Sequence, residues 1–349
     1  MPKAVYFKPT KNTVDRSAAL KAILERAPRF KQNSFVAIKI TIGDVHGRHH
    51  VKPELVRAVV DKVKADGGRP FVFDTNVLYI EGRRHNAVDH LTLAHEKGFT
   101  QDKIGAPFLI ADGLFGADGK EFSVNYNQIK KIKVPSFVGT VDELIVVSHI
   151  TGHVMSSYAG TIKNVGMGMS CRSGKHVQHS SVKPNVIVKK CVMCGACLKV
   201  CPPAAISKKD EKAFIDAQKC IGCGECLCAC KYDAITVNWK TDVKKFCERM
   251  TEYAAGIITQ FKTTFFINCA FDVTKECDCI AKENEPVICP DLGILASEDM
   301  LAVEKATVDL LTGTEDIFLK AQKNSLYHDQ LRYAQSLGIG NLAYDLVKL

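Results

Sequence analysis

Two short cysteine arrays stand in the middle of the chain. They read CVMCGACLKVCP from Cys191 and CIGCGECLCACK from Cys220, and both contain the spacing C-x2-C-x2-C-x3-C. Such a triplet can bring three thiolates to three corners of one 4Fe–4S cubane, and the fourth cysteine can reach a second cubane. The pattern therefore predicts one-electron transfer through two 4Fe–4S clusters.

The spacing assigns four ligands to each cubane: Cys191, Cys194, Cys197 and Cys230 to the first, and Cys220, Cys223, Cys226 and Cys201 to the second. Cys228 is left over, and Lys199 occupies the equivalent position of the first array, so the sequence sets no role for this thiol. A pair of zinc sites is the alternative, because C-x2-C also occurs in zinc knuckles. Zinc ribbons use separated cysteine pairs rather than triplets, so the clusters are favoured.

A second group of candidate residues follows the predicted strands. Asp74 and Asn76 end RPFVFDTN, His149 ends ELIVVSH, and further polar residues follow in the same way: Asp44, His46, Asp112, His153 and Asp272. In an open parallel sheet, ligands bind outside the carboxyl ends of the strands. Taken singly, such residues are also common in turns and helix caps. The candidates for catalysis are Asp74, Asn76, His149 and Lys163.

Cys277 and Cys279, in ECDC, form a third possible metal site. In an extended segment both sulfurs of such a pair face one way and can share a metal. Further ligands could come from Cys171, Cys269 and Cys289, and the alternative is that all are reduced, buried thiols. The glycine-rich segment GTIKNVGMGMSCRSGKH carries Lys163, Arg172 and Lys175, which could hold an anionic cofactor or substrate.

The elements that position these residues alternate between strands and helices. SFVAIKITIG, RPFVFDTN, APFLIAD, ELIVVSH and TTFFINCAFDV are predicted strands, and KPELVRAVVDKVKADGG is a predicted helix. SEDMLAVEKATVDLLTG is a second predicted helix, capped by Ser297. We predict an α/β fold with a mostly parallel sheet flanked by helices, and an inserted small α+β two-cluster module. The predicted domains are 1–185 and 241–349, two parts of the α/β domain, and 186–240, the cysteine module.

Composition narrows the function classes. The 349 residues are 46% hydrophobic and 24% charged, and the formal net charge is +9. Two four-thiolate cubanes of about −2 each would bring the loaded protein to roughly +5. The lysines lack the interleaved aromatic residues of a base-stacking surface. We therefore expect no nucleic-acid partner, and explain the charge by solvated lysines or by docking of an acidic electron carrier.

The sequence gives no sign of secretion or membrane insertion. MPKAVYFKPTKNTVDRS lacks the apolar core of a signal peptide, and no apolar run approaches the roughly 20 residues that span a bilayer. The regular cysteine arrays suit metal ligation better than disulfide pairing. We expect a cytoplasmic protein without membrane insertion.

Long stretches of the chain resemble the domain-of-unknown-function 362 family of iron–sulfur centre proteins. They include NAVDHLTLAHEKGF, SHITGHVMSSYAGTIKNVGMGMSCRSGKHVQHS, DVTKECDC and PDLGILASEDMLAVEKATVDLL. The cysteine arrays are similar to a bacterial-type ferredoxin domain, except that Lys231 replaces the proline found at Pro202. The resemblance implies an α/β domain with an embedded two-cluster ferredoxin, and it implies no substrate.

The leading hypothesis is a cytoplasmic iron–sulfur redox protein, of the oxidoreductase kind if it is an enzyme. Single electrons would pass through two 4Fe–4S clusters to a site at the carboxyl rim of the sheet, which could hold a third metal, cluster or organic cofactor. The alternatives are a non-catalytic electron-carrier subunit, an iron–sulfur sensor and a metal-handling protein. The expected partner is a ferredoxin-like carrier or an oxidoreductase subunit. The sequence identifies neither the electron donor and acceptor nor the oligomeric state.

Overall fold

The computed structural model describes residues 1–179, 183–236, 242–279 and 282–349. Its helices are α1 (Thr13–Leu24), α2 (Pro53–Ala65), α3 (Ala87–Glu96), α4 (Gln101–Ile104), α5 (Thr161–Gly166), α6 (Arg172–His179), α7 (Ala196–Lys199), α8 (Glu225–Ala229), α9 (Val243–Ile258), α10 (Met300–Thr312), α11 (Ile317–Gln322) and α12 (Leu326–Ser336), with a 3-10 turn at Val188–Lys190. Its strands are β1 (Lys3–Pro9), β2 (Phe35–Lys39), β3 (Arg69–Asp74), β4 (Phe108–Ile110), β5 (Gly119–Ser123), β6 (Lys131–Pro135), β7 (Glu143–His149), β8 (Thr151–His153), β9 (Ser157–Ala159), β10 (Asn185–Val186), β11 (Ile206–Lys209), β12 (Lys212–Ile215), β13 (Ile235–Thr236), β14 (Thr263–Ala270), β15 (Gly293–Ser297) and β16 (Tyr344–Lys348).

An eight-stranded sheet forms the centre of the protein, in the order β16-β1-β15-β14-β7-β2-β3-β4. β15 is antiparallel to both of its neighbours, whereas the other neighbouring strands pair in parallel. Because β14 pairs with β7, the chain after the cysteine arrays returns to the same sheet. The predicted α/β fold with a mostly parallel sheet flanked by helices is confirmed. Three strands of this sheet, β1, β15 and β16, were not predicted from the sequence.

Helix α2 shows how the sequence sets these elements. Pro53 occupies its first turn, where the missing N–H costs nothing. One stripe of aliphatic side chains is buried: Leu55, Val56, Val59, Val60 and Val63. Gly67 follows the helix at φ +88°, a backbone conformation that favours glycine. The helix joins β2 to β3 and so makes the parallel pairing of these strands possible.

The start of α10 differs from the prediction. Asp299, and not Ser297, is its N-cap, with a side chain that accepts from the backbone N–H of Ala302 at 2.9 Å. Ser297 is the last residue of β15 and donates its hydroxyl to the Ala4 carbonyl. The predicted cap was therefore wrong, because strand pairing takes the serine and the next acidic residue can cap the helix equally well.

Both faces of the sheet are covered. Along β3, Phe71 and Phe73 point into one hydrophobic core and Val72 into the other. Helices α5, α9, α10 and α12 contribute to the first core, and α1, α2 and α3 to the second. This two-sided burial explains why the strand sequences are continuously apolar rather than alternating.

The cysteine arrays lie between α6 and α9, apart from the large sheet. β10 and β13 pair there as one antiparallel ribbon, and β11 and β12 as another. A small core of its own surrounds them, with Ile206, Leu227 and Ile235 among its members. The predicted end of this module, at 240, lies outside the described residues. None of the helices in the described part of the chain has both the length and the hydropathy of a membrane span.

Candidate functional site

A cavity that is partly open to solvent, the rim cavity, lies at the carboxyl ends of the parallel strands. It is lined by residues that follow β2, β3 and β7, by α5 and α6, and by the segment after β14. The polar and sulfur-bearing lining residues are Thr41, Asp74, Thr75, Tyr79, Arg84, Ser148, His149, Thr151, His153, Lys163, Asn164, Met167, Lys175, His179, Cys277, Asp278 and Cys279. The structure thus brings Asp74, His149, Lys163, Cys277 and Cys279 to one place.

Two thiols and an ammonium group meet at one wall of this cavity. The Lys163 Nζ, on α5, lies 3.6 Å from the Cys279 Sγ. A hydrogen bond from Cys279 and the positive charge of Lys163 together overcome burial and lower the pKa of Cys277 to about 5. The same hydrogen bond, together with burial, raises the pKa of Cys279. Lys163 thus favours a state in which this pair carries one thiolate and keeps one proton.

His149 is tied into the wall by both of its ring nitrogens. Nδ1 lies 2.9 Å from the Asp278 carboxylate, and Nε2 lies 2.9 Å from the Phe271 carbonyl. Burial alone would lower the pKa of His149, but the Asp278 carboxylate outweighs it and the pKa is raised. Two acceptors require two N–H donors, so the ring is an imidazolium. Its contacts hold the Cys277–Cys279 segment against β7.

Asp74 lies deeper and is paired with a lysine. The Lys39 Nζ is 3.0 Å from the Asp74 Oδ1, and Arg84 and His90 are near Oδ2, at 3.8 Å and 3.5 Å. Burial opposes ionisation of Asp74, but Lys39, His90 and Arg84 hold its pKa far below the usual range. The carboxylate is therefore ionised and paired.

Asn76 does not line the cavity. Its Nδ2 donates to the Asp112 Oδ1 at 2.9 Å and to the Gly113 carbonyl at 2.7 Å, which ties the end of β3 to the end of β4. Burial raises the pKa of Asp112 to about 7. Of the four candidate catalytic residues, Asn76 is the one that lies outside the cavity lining. It holds two strand ends together instead.

Arg84, Tyr79 and Asp278 line the cavity but were missed as candidates. Arg84 and Tyr79 come from the loop between β3 and α3, which has no periodicity to mark them. Asp278 stands between the two cysteines of ECDC, and its partner His149 is 129 residues away. Arg172 contacts the Phe115 carbonyl at 3.5 Å and is not among the cavity residues.

Two smaller cavities lie in the cysteine module, and each is ringed by four cysteines. The first, of about 340 Å³, is lined by Cys191, Cys194, Cys197 and Cys230, and the second, of about 300 Å³, by Cys201, Cys220, Cys223 and Cys226. These are the two ligand sets that the spacing assigns. All eight side chains are free thiols rather than disulfides.

The surroundings of these thiols fit a cubane. The first and last sulfurs of each array accept a backbone N–H: Cys191 from Ala213, Cys201 from Ala205, Cys220 from Gly222 and Cys230 from Ala234, at 3.2–3.4 Å. Such bonds stabilise thiolate ligands and tune iron–sulfur potentials. Within the described residues, no three His, Cys, Asp or Glu side chains are grouped closely enough to hold a single metal ion.

The second cysteine cavity lies on the side that faces the α/β domain. The His176 Nδ1, on α6, is 3.0 Å from the Gly222 carbonyl, and Lys133 pairs with Glu225 at 2.8 Å. Lys175 and His179, from the same helix as His176, line the rim cavity. Helix α6 therefore runs from the second cysteine loop to the rim cavity. In the first loop, Cys194 is exposed.

Four other cysteines lie outside these cavities. Cys228 is buried and donates to the Gly116 carbonyl at 3.6 Å, across the contact with the α/β domain. Cys171 donates to the Asp118 carbonyl at 3.7 Å, Cys269 is in the sheet core, and Cys289 packs at the edge of the other core. Cys277 and Cys279 are the cysteines among the described residues that line the rim cavity.

The fold and these cavities define an α/β protein with a cysteine-lined inserted module. The chain belongs to the family described as "Domain of unknown function (DUF362)", whose model matches residues 36–309. No curated protein matches the sequence.

Two solved structures are similar to part of this chain. The lactate racemase apoprotein of Thermoanaerobacterium thermosaccharolyticum is 13% identical, with 77% of this chain and 51% of that chain covered and a TM-score of 0.39. A protein of Thermotoga maritima is 11% identical, with 89% and 57% covered and a TM-score of 0.42. The chain spans a little over half the length of these proteins.

Proposed function

We propose that this protein is a cytoplasmic iron–sulfur oxidoreductase. Its inserted module would be a bacterial-type ferredoxin domain that holds two 4Fe–4S clusters. The observation that carries the proposal is the match between two cavities and two predicted ligand sets, four cysteines to each. When bound, the clusters would supply one-electron transfer at potentials set by all-thiolate ligation.

The positions of the two cysteine loops support a path for this transfer. Cys194 of the first set is exposed, so an electron carrier can approach that side. The loop of the second set contacts α6 through His176 and Gly222. The α6 residues Lys175 and His179 reach the rim cavity. Electrons would therefore pass between the protein surface and the rim cavity by way of the first and then the second cluster, or in the reverse order.

The rim cavity favours an enzyme over a non-catalytic carrier subunit. Buried ionised groups with shifted pKa values cluster there, notably Cys277, Lys163 and Asp74. A docking surface needs no such groups, whereas active sites concentrate them. The expected partner is an acidic ferredoxin-like carrier or an oxidoreductase subunit.

A reductive titration tests the proposed function. We expect the anaerobically purified protein to accept about two electrons per chain, one for each cluster, with low-potential signals from two nearby cubanes in electron paramagnetic resonance. Uptake of no electrons, or of electrons without a cubane signal, would overturn the proposal.

A third cluster or metal at Cys277 and Cys279 is a second candidate, because both thiols line the rim cavity beside Lys163. Iron well above about eight per chain, falling to about eight in the double variant Cys277→Ser/Cys279→Ser, would support it. Equal iron and equal content of other metals in both proteins would remove it.

A further inference from the structure

We propose that the rim cavity binds a small organic acid, whose carboxylate lies between Arg84 and Lys163, beside Cys279. This inference rests on the proposed function, because it takes this cavity to be the site that exchanges electrons. It names the class of molecule that the site takes.

Arg84 supplies the first observation. Its side chain is 1% exposed, and Nε lies 3.2 Å from the Asp44 carboxylate. Its Nη2 is also buried, yet it has no hydrogen-bond partner among the described residues. A buried guanidinium N–H without an acceptor is costly, and a ligand oxygen in the cavity would satisfy it.

Lys163 is the second cation with unused donor capacity. Its Nζ lies 3.6 Å from the Cys279 Sγ and also interacts with the Cys277 sulfur. An ammonium group has three donors and sulfur is a weak acceptor, so a donor remains for a ligand oxygen. The Arg84 guanidinium is also close enough to interact with Cys279. The two cations therefore converge on one part of the cavity wall.

The other charged groups around the cavity already have partners. Lys175 donates to the Thr75 hydroxyl at 2.6 Å and to the Ser170 carbonyl. Asp74 is paired with Lys39, and Asp278 with His149. Arg84, through its unpartnered Nη2, and Lys163 are thus the two cations beside Cys279 that can donate to an added anion.

The shape of the site favours a carboxylate over a phosphate. Phosphate sites commonly use backbone N–H groups of glycine loops or helix starts. At the start of α5, the Thr161 N–H is taken by Glu304. A planar carboxylate instead matches one guanidinium and one ammonium. Apolar lining residues remain for the organic body: Val77, Leu78, Ala159 and Met167.

Calorimetric titration of the anaerobically purified protein tests this inference with three acid–amide pairs. The pairs are acetate and acetamide, malonate and malonamide, and benzoate and benzamide. We expect at least one acid to bind ten-fold or more tightly than its amide. Arg84→Lys and Lys163→Met should each weaken that acid at least ten-fold. Lys131→Met, at an exposed lysine of β6, is the matched control and should bind like the wild type.

Several results would overturn the inference. These are no acid binding, equal binding of acid and amide, binding of inorganic phosphate in place of the acids, or unchanged binding in Lys163→Met. If Arg84→Lys fails to fold, Lys163→Met decides alone. Cys223→Ser, which should lose the second cluster, should still bind the acid. Loss of acid binding with intact electron uptake, or the reverse, therefore separates this inference from the proposed function.

Discussion

At the scale of single residues, the supernumerary thiol Cys228 shows how neighbouring cysteines take different roles. It is two residues from Cys226 and two from Cys230, which line different cavities. Cys228 instead donates to the Gly116 carbonyl of the α/β domain. Helix α8 turns its side chains in different directions, so sequence proximity alone does not make a ligand.

We predict that Cys228→Ser keeps both clusters, because a serine hydroxyl can also donate to the Gly116 carbonyl. Cys226→Ser should lose one cluster and lower the iron content from about eight to about four per chain. Iron analysis and the visible absorption spectrum of both variants check this. Loss of iron in Cys228→Ser would show that the ligand assignment is wrong.

At the scale of secondary structure, the sequence predicted most of the site-bearing sheet. Buried strands such as β2 and β7 carry continuous β-branched and aliphatic runs, so their type and order followed from local patterns. The edge strand β16 has five residues that are mostly exposed, and its identity depends on pairing with β1. Tertiary contact, which local patterns do not contain, decides such strands.

The candidate site was predictable to a similar degree. Parallel strands must end at one rim, which predicted that Asp74, His149 and Cys277 would lie close together. The pairing of His149 with Asp278 and the buried place of Arg84 depend on loops that meet only in the folded chain. Asn76 shows the converse, because a polar residue at a strand end can simply hold two strands together.

Helix α5, which carries Lys163, depends on an acidic residue of another helix. Its N-cap Gly160 offers no side chain, and the buried Glu304 of α10 accepts from the Thr161 N–H, the Tyr158 hydroxyl and the Asn268 amide. Burial raises the pKa of Glu304 to about 7, although these bonds oppose the rise. Between the unfolded pKa near 4.5 and about 7, the folded protein binds more protons.

The Glu304 contribution to stability should therefore fall as the pH rises through this window, by about 3 kcal/mol at most. Urea unfolding under anaerobic conditions at pH 5 and pH 7.5 checks this. We expect Glu304→Gln, which cannot ionise, to show a smaller difference between the two midpoints than the wild type. An equal or larger difference in the variant would contradict the assignment.

At the scale of the whole molecule, exposed apolar and basic residues are concentrated around the cysteine module. The exposed apolar residues there are Val188, Val192, Val200, Phe214, Ile221 and Tyr232. The exposed lysines are Lys189, Lys190, Lys199, Lys208, Lys209, Lys219 and Lys231. Exposed apolar residues together with an excess of exposed lysines suit a transient complex with an acidic partner.

We predict that an acidic ferredoxin reduces the protein several-fold more slowly at 300 mM salt than at about 50 mM, because screening weakens the attraction. The double variant Lys190→Glu/Lys231→Glu should be slower at low salt and less sensitive to salt. Lys262→Glu, just before β14, is the matched control and should behave like the wild type. Equal rates in all three proteins, measured by stopped-flow absorbance, would exclude this docking face.

Iron and acid-labile sulfide analysis of the anaerobically purified protein tests the two-cluster proposal most directly. The proposal predicts about eight iron atoms and about eight sulfides per chain, held by eight cysteines in two cavities. Zinc at about two per chain with neither iron nor sulfide would contradict it and would favour a pair of zinc sites.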